Sequence, residues 1–179
     1  MIDIRIIDKN RQADILLANQ PFALTGRLIP TFDGTGWDYQ VQKATQIEWQ
    51  TFPDEAYDFD QLSDSHQFVG AYDGEDCVGL AILQDDFFAY SYLYDLKVNQ
   101  AYRKQAIASR LLKACQQIAL SRGFRGIRTI AQDNNLAACL FYLKQGFVIG
   151  GADTHCYKGT PQEGKTDIHF YLECEKARD

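Results

Sequence analysis

From residue 44 to residue 96 this 179-residue sequence has no lysine or arginine, and from 96 to 132 it has no aspartate or glutamate. The first stretch gathers Glu48, Asp54, Glu55, Asp58, Asp60, Asp64, Asp73, Glu75, Asp76, Asp85, Asp86 and Asp95. The second carries Lys97, Arg103, Lys104, Arg110, Lys113, Arg122, Arg125 and Arg128. Residue by residue, such charges form solvated faces; as a block they fit a site with a cationic ligand on one side and a polyanionic one on the other. The basic segment is short and the net charge is −6, which argues against nucleic acid as a partner. No apolar run approaches the roughly 20 residues of a membrane helix, and no signal-peptide pattern opens the chain, so the sequence predicts a cytoplasmic protein without membrane contact. The five cysteines (Cys77, Cys115, Cys139, Cys156, Cys174) form no C-x-x-C pair. They read as isolated buried thiols, with neither a disulfide framework nor a metal site.

What is present suits one globular domain over 1–179, with 46% apolar and 13% aromatic residues. Alternating Ile2, Ile4 and Ile6 predict a first strand, and 11–19 a short helix ended by Asn19 and Pro21. Segment 20–38, rich in proline and glycine, reads as a loop, and 38–63 as one or two helices around Pro53. A hairpin is expected from 67–72 and 77–83 across Asp73-Gly74, followed by a long strand at 88–98. A helix over 103–122, capped by Gly123, then crosses to a strand at 126–131 that must lie parallel to the long one. Asp133-Asn134-Asn135 caps a helix that runs through Lys144 to Gly146, and 147–150, 154–158 and 167–174 complete the sheet.

The organising stretch is 92–112, a strand, a loop of small and basic residues, and a helix. Apolar residues recur at Ile107, Leu111 and Ile118, and at Ala108, Leu112, Cys115 and Ala119, marking a buried helix stripe. The start of that helix, with unpaired N–H groups and the positive end of its dipole, suits a pyrophosphate.

The meander ending in D-L-x-V, R-x-x-A-x-A opening a helix, and N-x-x-A-x-x-x-Y-x-x-x-G-F (Asn135, Ala138, Tyr142, Gly146, Phe147) together resemble the GNAT acetyltransferase superfamily. Segments 20–30 with Trp37, and 129–154, resemble more narrowly the streptothricin acetyltransferases, which acetylate an amine on the antibiotic's β-lysine arm. The resemblance implies a mixed α/β (α+β) GNAT-like fold: a mostly antiparallel twisted sheet, a parallel pair splayed around the cofactor site, and helices on both faces. It also implies direct transfer of acetyl from acetyl-CoA, without metal, to an amine of a small cationic substrate, by a monomer or homodimer.

Residue by residue, it implies that the backbone of Leu96, Lys97 and Val98 holds the pantetheine arm, with the Val98 N–H polarising the thioester. Arg103, Lys104, Gln105, Ala106, Ile107, Ala108 and Ser109 hold the pyrophosphate, and Asn135 contacts the pantetheine. Tyr142 is the general acid for the departing thiolate, against a reading as a tyrosine packed on the sheet. Asp95 is the candidate general base, directly or through water, against readings as the anchor of the substrate ammonium or as a buried hydrogen-bond acceptor. Tyr94, on one face with Tyr92 and Tyr90, and Trp37 are substrate-binding candidates. One departure stands at Ala106, where the family's loop has its first glycine. With ordinary φ alanine is tolerated there; otherwise cofactor binding is weakened or lost, which leaves open a binding module. Within the enzyme class, an aminoglycoside, a polyamine or a protein N-terminus is the alternative acceptor.

Overall fold

The computed structural model describes residues 1–174. Its elements in chain order are β1 (Ile2–Ile6), a 3-10 turn (Lys9–Leu16), β2 (Phe22–Phe32), β3 (Trp37–Gln50), α1 (Phe59–Leu62), β4 (His66–Asp73), β5 (Asp76–Gln84) and β6 (Tyr90–Val98). There follow a 3-10 turn (Gln100–Tyr102), α2 (Ile107–Ser121), β7 (Gly126–Gln132), α3 (Leu136–Lys144), β8 (Val148–Asp153) and β9 (Asp167–Glu173). Hydrogen bonding orders seven strands as β1-β4-β5-β6-β7-β9-β8, while β2 and β3 form a separate two-stranded ribbon. The sheet is mostly antiparallel with one parallel pair, as the sequence predicts. The chain divides into two compact units: Met1–Pro21 with Thr51–Ile127 and Cys174, and Phe22–Gln50 with Arg128–Glu173.

In the first unit, β1 pairs with β4, β4 with β5 and β5 with β6, all antiparallel. The β4–β5 turn is made by Gly74-Glu75, with Gly74 at φ 63° supplying the left-handed turn position beside Asp73. Ile7, Ile15, Phe68, Tyr72, Leu80 and Ile82 form the core here. The buried Tyr72 hydroxyl donates to Asp14 Oδ2 at 2.7 Å, so the ring can be buried without stranding its polar end. Helix α2 buries Ile107, Leu111, Leu112, Cys115 and Ala119, the i, i+4 stripe expected from the sequence. A Cβ on Gly79 of β5 would stand 3.2 Å from Leu111 Cδ1, so the glycine lets the helix approach the strand.

In the second unit, β8 and β9 pair antiparallel. The α3 N-cap is Asn135, whose Oδ1 accepts from the Ala138 N–H at 3.2 Å. Leu136 packs beside Gly26 of β2, where a Cβ would come within 2.3 Å of the Gln42 carbonyl on β3. That glycine sits at a register shift of the ribbon: Leu24 pairs with Glu48, but Gly26 pairs with Lys43.

Five expectations need correction. The expected loop over 20–38 and the expected helices over 38–63 are instead largely taken up by the paired strands β2 (Phe22–Phe32) and β3 (Trp37–Gln50), and helix in this stretch is confined to the four residues of α1. Trp37, Tyr39, Val41, Thr45, Ile47 and Trp49 occupy every second position but one, a strand alternation masked because nearly every β3 side chain is exposed. Residues 103–106 are not helical, since Lys104 and Ala106 have positive φ. Residues 154–158 are a turn, because the Asp153 carboxylate accepts from the N–H groups of His155 and Cys156 at 2.8 and 3.0 Å. Finally, Cys115 and Cys139 are buried but Cys156 is exposed, so the thiols are not uniformly interior.

Candidate active site

On β6 the register shifts between Ile82 and Leu83 of its neighbour: Asp95 pairs with Ile82 and Leu93 with Leu83, leaving Tyr94 as the extra residue of a bulge. A bulge breaks strict alternation. Leu93 is buried in the core, whereas Tyr94 and Asp95 both meet Tyr57, by a ring contact of 5.9 Å between centroids and a hydrogen bond of 3.2 Å. Tyr92 and Tyr94 do meet, their rings edge to face at 6.0 Å, and His66 lies edge-on to Tyr94 at 5.3 Å.

Asp95 is the centre of a polar cluster. Its Oδ2 accepts from the Tyr57 hydroxyl and lies 3.0 Å from Lys97 Nζ. Lys97 donates to Glu55 Oε2 at 2.7 Å and to Asn19 Oδ1 at 3.2 Å, with the Tyr57 ring 5.9 Å away. Asn19 Nδ2 in turn donates to Glu55 and to the Pro53 carbonyl, at 3.0 and 2.8 Å. The Asp95 and Lys97 side chains are only 14% and 12% exposed, so their charges interact in a poorly solvated setting. Burial raises the Asp95 pKa above the ordinary carboxylate value, against the opposing pull of the Lys97 ammonium. Asp95 Oδ1 has no partner among the described residues.

The loop after β6 is held by Arg103. Its guanidinium donates to the carbonyls of Val98 (3.0 Å), Pro21 (2.6 Å) and Gln20 (3.4 Å), so this side chain is spent on the protein's own backbone. Beyond it Lys104 has φ 61° and Ala106 has φ 59°, ψ 14°, the left-handed conformation that favours glycine. The first backbone bond into α2 is donated by Arg110 to the Ala106 carbonyl at 3.1 Å. Among the described residues, the N–H groups from Lys104 to Ser109 find no acceptor. Alternating left-handed positions followed by a 15-residue helix make a concave run of amides with a positive field, suited to a phosphate.

In the second unit Tyr142 of α3 is buried, its ring 5.2 Å from Phe147 and 5.6 Å from Phe170. Trp37 packs on Phe32 at 5.2 Å, and both line a cavity of about 480 Å³ together with Arg27, Asp133 and Thr166. Arg27 Nε donates to the buried Asp133 carboxylate at 2.9 Å.

The structure thus places Tyr94, Asp95, Leu96, Lys97, Val98 and the 103–109 loop in the first unit, and Trp37, Asn135 and Tyr142 in the second. Sequence reasoning missed Asn19, Glu55, Tyr57 and the Lys97 side chain. The spacing of Asp95 and Lys97, two apart on a strand, was the available signal for their sharing a face. Among the described residues, no group of three His, Cys, Asp or Glu side chains could hold a metal ion, and no helix is long and apolar enough to cross a membrane.

Residues 37–147 match the model of the acetyltransferase (GNAT) family. The chain is similar to streptothricin acetyltransferase A of Bacillus subtilis (strain 168), 29% identical over 154 residues, which span 86% of this chain and 89% of that protein. A streptothricin acetyltransferase of Escherichia coli is 33% identical over 113 residues, 63% of this chain and 65% of the other. Among solved structures, a Bacillus anthracis str. Ames protein proposed to be a streptothricin acetyltransferase, in complex with acetyl coenzyme A, superposes with a TM-score of 0.87. It is 25% identical, and the match covers 97% of this chain and 99% of that one. A nourseothricin acetyltransferase superposes with a TM-score of 0.80 over 97% and 99% of the chains; at 19% identity this shows the shared fold alone.

Proposed function

We propose that this chain, which belongs to the GNAT acetyltransferase family, transfers acetyl from acetyl-CoA to a primary amine of a cationic small molecule, with streptothricin as the first substrate. The observation that carries this reading is the match over 86% of the chain to a protein with that activity in its name. The local chemistry supports it on both sides. The unpaired amides from Lys104 to Ser109 offer a polyanion a backbone cradle, and Asp95 Oδ1 offers a cation a free carboxylate oxygen.

In this reading the amides of 104–109 take the pyrophosphate, and the backbone of Leu96, Lys97 and Val98 lies along the pantetheine arm, which Asn135 also contacts. The amine nitrogen attacks the thioester carbonyl directly, and the Val98 N–H steadies the negative charge that develops on its oxygen. The C–S bond then breaks. The amine proton passes to Asp95 or water, and the Tyr142 hydroxyl protonates the departing thiolate. Arg103 acts here as the clamp that fixes the loop, since its donors are engaged by Val98, Pro21 and Gln20. Tyr94 and Trp37 stand as substrate-binding residues.

The test is CoA thiol release from acetyl-CoA with and without streptothricin. Streptothricin-dependent release is the expected result, whereas release only with an aminoglycoside, a polyamine or a peptide N-terminus would transfer the assignment to that amine. A second reading has one specific observation behind it: the left-handed Ala106 where glycine is favoured. A binding module with a degraded cradle would hold acetyl-CoA and turn over no amine.

A further inference from the structure

Asp95 and Glu55 bring two negative charges to one partly buried cluster, and Lys97 brings one positive charge. The cluster keeps one net negative charge, and its geometry decides where that charge is presented. Lys97 Nζ is held on three sides, by Glu55 Oε2 at 2.7 Å, Asp95 Oδ2 at 3.0 Å and Asn19 Oδ1 at 3.2 Å. Two of these contacts are hydrogen bonds, to Glu55 and Asn19, and the third is the ion pair with Asp95. Tyr57 adds its hydroxyl to the same Asp95 oxygen, Oδ2, at 3.2 Å. Oδ1 of Asp95 is left open.

We propose that Lys97 is a positioning residue for Asp95. Anchored by Glu55 and Asn19, its ammonium holds Oδ2 together with Tyr57, keeping the carboxylate ionised and turned so that Oδ1 meets the acceptor amine. The inference rests on the reading of Asp95 as the residue that faces that amine. Its physical basis is that a poorly solvated carboxylate stays charged only beside a compensating cation, while a second carboxylate nearby works the other way. The groups facing Asp95 are Lys97 and Tyr94 on its own strand and Glu55 and Tyr57 from the segment before α1; its partner on β5 is the apolar Ile82. A lysine serving only the packing of β6 would leave the titration of Asp95 where it is.

The deciding measurement is the titration of the Asp95 carboxyl carbon by ¹³C NMR in the folded protein, with Asp95→Asn used to assign the resonance. Lys97→Met is expected to raise the midpoint by about one pH unit or more, because the cation is lost while Glu55 remains. Glu55→Gln, which keeps nearly the same shape, is expected to lower it, because Lys97 is then undivided. The double variant should fall between the two. With streptothricin, the acidic limb of kcat/KM should move in the same directions while KM for acetyl-CoA stays put. An unmoved Asp95 midpoint in Glu55→Gln, or in a folded Lys97→Met, overturns the proposal. The titration needs no turnover, so failure of the wild type to acetylate streptothricin would count against the reaction and leave the judgement on Lys97 to the midpoint.

Discussion

Replacing Ala106 with glycine tests the conformation of the phosphate loop without touching any side-chain contact. Ala106 has φ 59° and ψ 14°, where the Cβ of an L-residue crowds its own backbone at a cost of roughly 1–2 kcal/mol. Glycine removes that cost but adds freedom to the unfolded chain, which takes back about 0.4–1 kcal/mol. Strain relief wins by a narrow margin, near 0.8 kcal/mol on these central values. For a chain of this size that corresponds to a rise in Tm of about 2–3 °C. Ala114→Gly, in the middle of α2, is the control. With ordinary helical backbone it gains nothing and should lose about 1 kcal/mol, lowering Tm. Thermal melts of the three ligand-free proteins by circular dichroism give the comparison. If Ala106→Gly is destabilised as far as Ala114→Gly, the left-handed conformation at 106 is wrong. Calorimetry with acetyl-CoA on the same variants then separates the two functional readings. An active enzyme should bind with nearly the same Kd whichever residue stands at 106, whereas a module with a degraded cradle should gain affinity strongly with glycine.

Arg103→Ala should destabilise the fold by about 2–4 kcal/mol in urea unfolding, since hydrogen bonds from a charged donor to three carbonyls are lost. Acetyl-CoA affinity should fall with it as the loop loosens, and an unchanged Kd would sever Arg103 from the cradle. Tyr142→Phe should lower kcat by about 100-fold or more while leaving acetyl-CoA affinity and the apolar packing of the ring intact; equal turnover would remove the general acid. Under a thiol reagent the exposed Cys156 should react first, and Cys156→Ser should abolish that fast phase. Cys115 and Cys139, whose thiols burial pushes up to about 12, should react only on unfolding.

The strands and helices that bury side chains were legible in the sequence, and the ribbon that does not was missed. The β4–β5–β6 meander, α2 and α3 declare themselves through apolar runs, an Asp-Gly turn and Asn135 as a cap, because burial and capping leave a compositional trace. The β2–β3 ribbon pairs 11 residues with 14, and almost every β3 side chain is exposed, so pairing shapes it more than a core does. Its alternation from Trp37 to Trp49 was present but interrupted at Lys43. Among the candidate site residues, Asp95, Tyr142 and the 103–109 loop were nominated by local motifs. The partners of Lys97 did not, since Glu55 and Asn19 lie 42 and 78 residues away and only folding assembles them.

The setting of Lys97 has a further consequence in terms of host and guest. Two carboxylates, an amide oxygen and an aromatic face around one nitrogen are the furnishings of a receptor for a protonated primary amine, and the protein fills that receptor with its own chain. Shortened to alanine, position 97 would leave this host vacant with its donors and acceptors in place. A small alkylammonium such as ethylammonium, added from solution, is then the natural guest. Its ability to restore the midpoint of Asp95 would show that the charge matters and the tether does not.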